Sequence, residues 1–199
     1  MRIHGPLLIS LFFLSSSIGF AQDTHIKTKY YEDRKITVVS IDPMFVLYTP
    51  DRRVAVDIRF DYPKQKLVKP PKQINFSLKS LAKELKYPQG ERSKIVILVD
   101  GKPIELEKVV YFATNWVFEK DRLVGITLKP RIKGGKVLDE NGKPITGSVE
   151  ELLAGAIGPK AFPRLASAKI IEIHIGDEVF RFTENQMNSV RILAKLTMP

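Results

Sequence analysis

The chain contains no cysteine and only three histidines among its 199 residues. The lack of cysteine excludes disulfides, thiol catalysis and a cysteine zinc site, so the fold must be stabilised by packing alone. A Ser-His-Asp site could in practice use only His174, and no Gly-x-Ser-x-Gly motif supplies the serine. We therefore predict no cofactor and no metal site, and the sequence favours a non-enzymatic function.

The only long apolar run lies at the start of the chain. Arg2 precedes the apolar residues 7–14, and Ser15, Gly19 and Ala21 follow them. This run is too short for a membrane span, which needs about 20 residues. The order of a basic start, an apolar core and small residues predicts a secretory signal peptide over residues 1–21. We expect a periplasmic or extracellular protein whose mature chain, residues 22–199, forms a single β-rich domain.

Alternating apolar and polar residues predict strands over most of the mature chain. Residues 22–34 are polar and are predicted to be frayed, whereas residues 54–60 and 74–78 alternate as half-buried strands do. Residues 95–99 are continuously apolar, as in a central strand, and Asp100 and Gly101 then predict a hairpin. The predicted fold is mainly β: an antiparallel β-sandwich-like domain with short helices in the C-terminal third. An α+β fold is the alternative.

The turn signals also predict strand register. A two-residue turn at Asp100 and Gly101 places Ile97 opposite Ile104 and Ile95 opposite Leu106. A second hairpin, around residues 119–122, places Trp116 opposite Gly125, where the ring covers bare backbone.

Helical signals appear only in the last third of the chain. Ser148 with Glu151 forms a capping-box pattern and predicts a helix that ends at Gly158. Residues 161–165 predict one further helical turn. The clearest unit covers residues 168–198, where a hairpin turning at Gly176 is followed by an amphipathic helix that begins after Thr183. The same hairpin places Glu172 opposite Arg181 as an ion pair.

The charge is strongly basic. The whole chain carries +10, and removal of residues 1–21, which contain Arg2 and no acidic residue, leaves +9. Such a charge favours an anionic glycan, lipid head groups or an acidic envelope protein as partner. Nucleic acid is not expected, because the basic clusters carry no interleaved aromatics for base stacking. The two clusters are Lys64, Lys66, Lys69 and Lys72, and Lys129, Arg131, Lys133 and Lys136; the second is the predicted anion-binding patch.

Three functional hypotheses remain open from the sequence. The first is an exported, non-enzymatic β-sandwich protein that binds or scaffolds at the cell envelope, through basic loops to an anionic partner. The second is a carbohydrate-active hydrolase that uses Glu105 and Glu107, two residues apart on one face of a predicted strand. Retaining hydrolysis needs carboxyl groups about 5–5.5 Å apart, which that spacing permits. The third is a subunit of a larger envelope assembly.

Overall fold

The computed structural model describes residues 26–64, 67, 69–87, 95–119, 122–128, 131–133, 136–144 and 148–198. The predicted signal peptide and its cleavage site lie outside these residues. Strands make up most of the described chain, and the helices are short and lie near the C-terminus. The fold is therefore mainly β, as predicted.

The described residues form fourteen strands and two α-helices. The strands are β1 (Ile26–Tyr31), β2 (Ile36–Ile41), β3 (Met44–Tyr48), β4 (Arg52–Pro63), β5 (Ile74–Ala82), β6 (Ile95–Val99), β7 (Lys102–Ile104), β8 (Leu106–Glu119), β9 (Arg122–Leu128), β10 (Arg131–Lys133), β11 (Lys136–Leu138), β12 (Ser148–Ile157), β13 (Ile171–Ile175) and β14 (Glu178–Arg181). The helices are α1 (Phe162–Ala166), preceded by a 3₁₀ turn, and α2 (Glu184–Leu196). No helix of the described residues is long and apolar enough to cross a membrane.

Two antiparallel sheets enclose the core. The large sheet has the order β1-β2-β4-β5-β12-β8-β9, with β3 also paired to β4, and the small sheet has the order β14-β13-β6-β7. Alternate residues of β4, β5 and β12 are buried, and they form one apolar cluster with the buried residues of the small sheet and of both helices. Each sheet therefore contributes one face to the core, which is the arrangement of a sandwich.

The outward-pointing residues of the large sheet form what we call the outer face. Along β4 it contains Asp57 and Arg59, and the register continues it through Ser77 and Asn75 of β5. Ala154 of β12 then follows Ser77 in the same row. This face carries the polar half of each alternating pattern, so it is the surface on which binding side chains can gather.

The C-terminal unit forms as predicted. Glu172 lies opposite Arg181 in the hairpin of β13 and β14, and the Arg181 Nε donates to Glu172 Oε1 at 2.9 Å. Thr183 caps α2: its side chain accepts a hydrogen bond from the Gln186 backbone, and the Gln186 side chain accepts one in return. Local patterns are sufficient for this unit because its strands and helix are consecutive in sequence.

The predicted helix between Ser148 and Gly158 is wrong. These residues form β12, which lies between β5 and β8 and pairs with both along its length. The capping-box pattern has a different cause, because Glu151 is fully buried and binds β8 and the segment after β5 rather than a helix terminus. Pairing on both edges satisfies the backbone of β12 and outweighs its local helical preference.

The predicted register of the β6–β7 hairpin holds only near the turn. Ile97 pairs with Ile104 as predicted, but Leu106 pairs with Ile157 of the large sheet instead of Ile95. The chain thus changes sheets at Glu105. The predicted pair of Trp116 with Gly125 is confirmed, and a Cβ on Gly125 would lie only 2.9 Å from Trp116 Cζ3.

The N-terminal residues also differ from the prediction. Part of the segment predicted to be frayed is the strand β1, which pairs with β2 from Ile26 opposite Ile41 to Tyr31 opposite Ile36. Its exposed pattern is that of an edge strand, whose stability comes from backbone pairing more than from burial.

Candidate functional site

A cavity adjoins the connection between β4 and β5. Its volume is about 600 Å³, and residues between 61 and 73 line it. Pro63, Pro70 and Pro71 all contribute to the lining. Because proline lacks the N–H that a sheet or helix needs, these positions explain why β4 ends at Pro63 and β5 begins only at Ile74.

Backbone contacts hold the start of the connection between β4 and β5. Lys64 has φ 69°, in the left-handed region that few non-glycine residues adopt. Its N–H donates to the Lys35 carbonyl at 2.7 Å, and its own carbonyl accepts from Thr37 Oγ1 at 2.7 Å. The strained turn is thus fixed on both sides by the β1–β2 end of the sheet, and it leads the chain away from β4.

Positive charge dominates the cavity. Lys64, Lys69 and Lys72 line it and are exposed, while Asp61 is the one acidic residue among its described lining. None of the three ammonium groups forms an ion pair with another residue that the structure describes. The apolar surface of the cavity comes from Tyr62, Leu67 and the prolines. The arrangement suits an anion that also carries apolar groups.

A second recess lies on the outer face of the large sheet. It has a volume of about 240 Å³, and its floor is formed by small residues of β12, Ala154, Gly155 and Ala156. The polar side chains around it are those of Asp57, Arg59, Gln73, Asn75, Ser77 and Lys108. We call this recess the depression, and it shares Gln73 with the cavity.

An irregularity in the sheet shapes the depression. The register of β8 shifts against β12 between Ala154 and Ala156, which leaves a β-bulge at Lys108 with φ 52°. Gly155 lies under this bulge, where a Cβ would lie 3.2 Å from Leu106 Cβ and 3.3 Å from the Glu107 carbonyl oxygen. A bulge redirects the side chain at its extra residue, so Lys108 joins the polar rim rather than the regular alternation.

The predicted anion-binding patch falls mostly in a separate hairpin. Lys129 lies outside the described residues, whereas Arg131 and Lys133 belong to β10 and Lys136 to β11. The backbone register places Lys133 opposite Lys136 in this two-stranded sheet. The hairpin thus brings three of the four residues to one element, and anion binding there stays a prediction.

The predicted carboxylate pair is not arranged on one strand. Glu105 lies in the connection between β7 and β8, and Glu107 lies within β8 opposite Ala156; both side chains are exposed. His174 lies on β13, with its Nε2 at 3.3 Å from Glu172 Oε2, as expected for the polar face of a sheet. Glu172 also binds Arg181, so this histidine belongs to a surface ion-pair group.

The structure reveals a buried carboxylate that the sequence did not predict. Glu151 of β12 is fully buried, and it accepts hydrogen bonds from Lys86 N at 2.7 Å, Tyr87 N at 2.8 Å and Tyr111 Oη at 2.9 Å. Burial raises the pKa of Glu151, although the three hydrogen bonds oppose that rise. Since its oxygens are satisfied by the protein itself, Glu151 holds the segment after β5 in place.

A neighbouring group joins the two sheets. Arg52 of β4 binds both carboxylate oxygens of Glu178 in β14, and Tyr87 Oη donates to Glu178 Oε2 at 2.9 Å. Arg52 lowers the pKa of Glu178, and burial raises the pKa of Tyr87. These contacts are internal to the fold, so we regard the group as structural.

Among the described residues, no group of three or more His, Cys, Asp or Glu could hold a metal ion. Comparison of the chain with protein-family models, with curated proteins and with solved structures gives no match. The functional argument therefore rests on the geometry of the cavity and the depression.

Proposed function

We propose that this chain is an exported, non-enzymatic β-sandwich protein of the cell envelope that binds an anionic partner through a basic loop. The observation that carries the proposal is the cavity of about 600 Å³ at the end of β4, which Lys64, Lys69 and Lys72 line. Its volume lies within the range of small-molecule and ligand-group sites, about 300–1,000 Å³.

The charges at this cavity are available to a ligand. A lysine that already pairs with a carboxylate gains little from a second anion, but these three have no such partner within the described chain. Walls of low dielectric strengthen their common field, and the basic charge of the whole chain attracts anions toward it. Binding should weaken as salt rises, because the screening length falls from about 10 Å at 0.1 M to about 3 Å at 1 M.

The composition of the cavity favours binding over catalysis. Its described lining contains one carboxylate, Asp61, and no histidine, so it lacks the paired acid and base of hydrolytic sites. The hydrolase that uses Glu105 and Glu107, and the subunit of a larger assembly, stay alternative predictions.

The test compares two double charge reversals that change net charge equally. Lys69→Glu with Lys72→Glu alters the cavity, and Arg131→Glu with Lys133→Glu alters the hairpin of β10 and β11. Each protein is titrated at low salt with polygalacturonate and, separately, with vesicles of phosphatidylcholine and phosphatidylglycerol. Two cations near an anionic surface contribute about 1 kcal/mol each, so we expect the cavity variant to bind at least about thirtyfold more weakly.

The hairpin variant is the matched comparison: the proposed cavity site requires it to keep most of the wild-type affinity, whereas the anion-binding patch predicted from the sequence requires it to lose affinity. Loss of binding only in the hairpin variant would assign the anion site to Arg131 and Lys133 instead. Equal behaviour of both variants and the wild type, or no binding of either anion, would contradict the proposed function.

A further inference from the structure

The cavity and the depression form adjoining parts of one surface. Gln73 lines both, and β4 borders both, with Asp57 and Arg59 at the depression and Asp61 at the cavity. These three residues occupy every second position of β4, so their side chains lie on the same, outer face. At a rise of about 3.3 Å per residue, the interval from Asp57 to Asp61 alone covers about 13 Å. A single small anion cannot occupy both recesses, but a linear ligand can.

The depression adds two cations to those of the cavity. Arg59 and Lys108 line it, and neither forms an ion pair with any other described residue, although Asp57 is close in sequence to Arg59. Lys108 lies at the rim only because the β-bulge places it there, in a backbone conformation that lysine rarely adopts. Positive groups therefore line both recesses: Lys64, Lys69 and Lys72 line the cavity, and Arg59 and Lys108 line the depression.

The other groups of the depression indicate what such a ligand carries besides negative charge. The side chains of Asp57 and Ser77 have no hydrogen-bond partner among the described residues, and the Asn75 side chain accepts a bond only from Gln73 Nε2, at 2.7 Å. Carboxylate, amide and hydroxyl groups bind hydroxyls well. Beside them on the same face, Val110 is 39% exposed and Phe112 is 55% exposed. Both can contact the C–H faces of a sugar.

We propose that the two recesses together bind a linear acidic saccharide, with one part of the sugar chain in the cavity and a part further along the same chain in the depression. This rests on the proposed function, because it requires the cavity to be an anion site. Lys64, Lys69 and Lys72 bind one acidic unit, Arg59 and Lys108 bind another, and Asp57, Asn75 and Ser77 accept or donate to sugar hydroxyls.

The experiment measures affinity against ligand length. The purified mature chain is titrated with the galacturonate disaccharide, with longer oligogalacturonates, with neutral dextran oligomers and with phosphatidylglycerol vesicles. We expect affinity per molecule to rise at least about tenfold from the disaccharide to the long oligomers, and the neutral oligomers to bind far more weakly.

Two variants separate the depression from general charge effects. Arg59→Gln with Lys108→Asn removes both cations of the depression, and asparagine tolerates the positive φ at position 108. This variant should lose the gain in affinity with ligand length. Arg53→Gln with Lys79→Gln removes two cations elsewhere on the outer face and should keep the gain. Circular dichroism confirms that each variant is folded.

The outcomes distinguish the two proposals. Equal affinity for short and long oligomers, a gain that survives in the Arg59 and Lys108 variant, or binding of vesicles alone would overturn the saccharide site. In each of these cases the anion site at Lys69 and Lys72 can still be correct. If reversal of Lys69 and Lys72 leaves the binding of every anion unchanged, the proposed function and the saccharide site both fail.

Discussion

Removal of the Tyr111 hydroxyl should destabilise the protein in a pH-dependent way. Tyr111 Oη donates to Glu151 Oε1 at 2.9 Å, and Glu151 is fully buried between strands of the large sheet. In Tyr111→Phe this carboxylate keeps only the two backbone donors, Lys86 N and Tyr87 N. A hydrogen bond to a charged group contributes about 1.5–3 kcal/mol, whereas one between neutral groups contributes about 0.5–1.5 kcal/mol.

The sign of this pH dependence follows from the pKa of Glu151, which burial raises above its ordinary value of 4.5. The folded protein binds this proton more readily than the unfolded chain does. The stabilisation from Glu151 is therefore complete below pH 4.5 and is lost as pH rises through the folded pKa. The Tyr111 hydroxyl stabilises the ionised form of Glu151. Its removal therefore raises the pKa of Glu151 further and increases the loss of stability at high pH.

We expect Tyr111→Phe to lower the free energy of unfolding by about 1.5–3 kcal/mol at pH 8 and by about 0.5–1.5 kcal/mol at pH 4. Urea unfolding followed by circular dichroism at both pH values measures the difference. Comparison with the wild type at each pH cancels the contributions of all other titrating groups. Tyr48→Phe is the control, since Tyr48 is 64% exposed, and it should change stability by less than about 0.5 kcal/mol. Equal losses at pH 4 and pH 8 would refute the reasoning.

Three further predictions concern the core, the contact between the sheets and export. Leu193→Ala in α2 should cost about 2–5 kcal/mol in urea unfolding, because Leu193 is fully buried; a loss below about 1 kcal/mol would contradict its place in the core. Arg52→Gln should cost about 1–3 kcal/mol at pH 7, since the pair with Glu178 is partly exposed, and less at pH 3. The loss falls at low pH because Arg52 lowers the pKa of Glu178, so this stabilisation disappears as Glu178 is protonated; equal losses would exclude the pair as the cause. Mass spectrometry should find Gln22 at or near the mature N-terminus, and an intact Met1 in a membrane fraction would refute cleavage.

The sequence determined those parts of the fold whose partners are close along the chain. The hairpin of β13 and β14 with the capped helix α2 depends on neighbours within a few residues, and each part agrees with the prediction. The pair of Trp116 with Gly125 is equally local, because only two residues separate β8 from β9 and the length of that connection sets the register of the hairpin. The mainly β class followed from the same alternating patterns.

Only the tertiary structure decided the parts that depend on distant partners. Ser148 and Glu151 carry a helical capping pattern, yet β12 is a strand because β5 and β8 satisfy both of its edges. The change of sheets at Glu105 has a similar cause, since Leu106 pairs with Ile157, far along the chain. Sequence patterns record local preference, and pairing between distant strands outweighs it.

The candidate site also has features that the sequence shows and features that only the tertiary structure shows. The lysine cluster between Lys64 and Lys72 is visible in the sequence, and the alternation of β4 already places Asp57 and Arg59 on the polar face. What the sequence could not provide is the cavity beside that cluster, or the bulge that places Lys108 at the depression. A recess is a property of the space between elements, and the depression is lined by four strands, of which β8 and β12 are distant in sequence from β4 and β5.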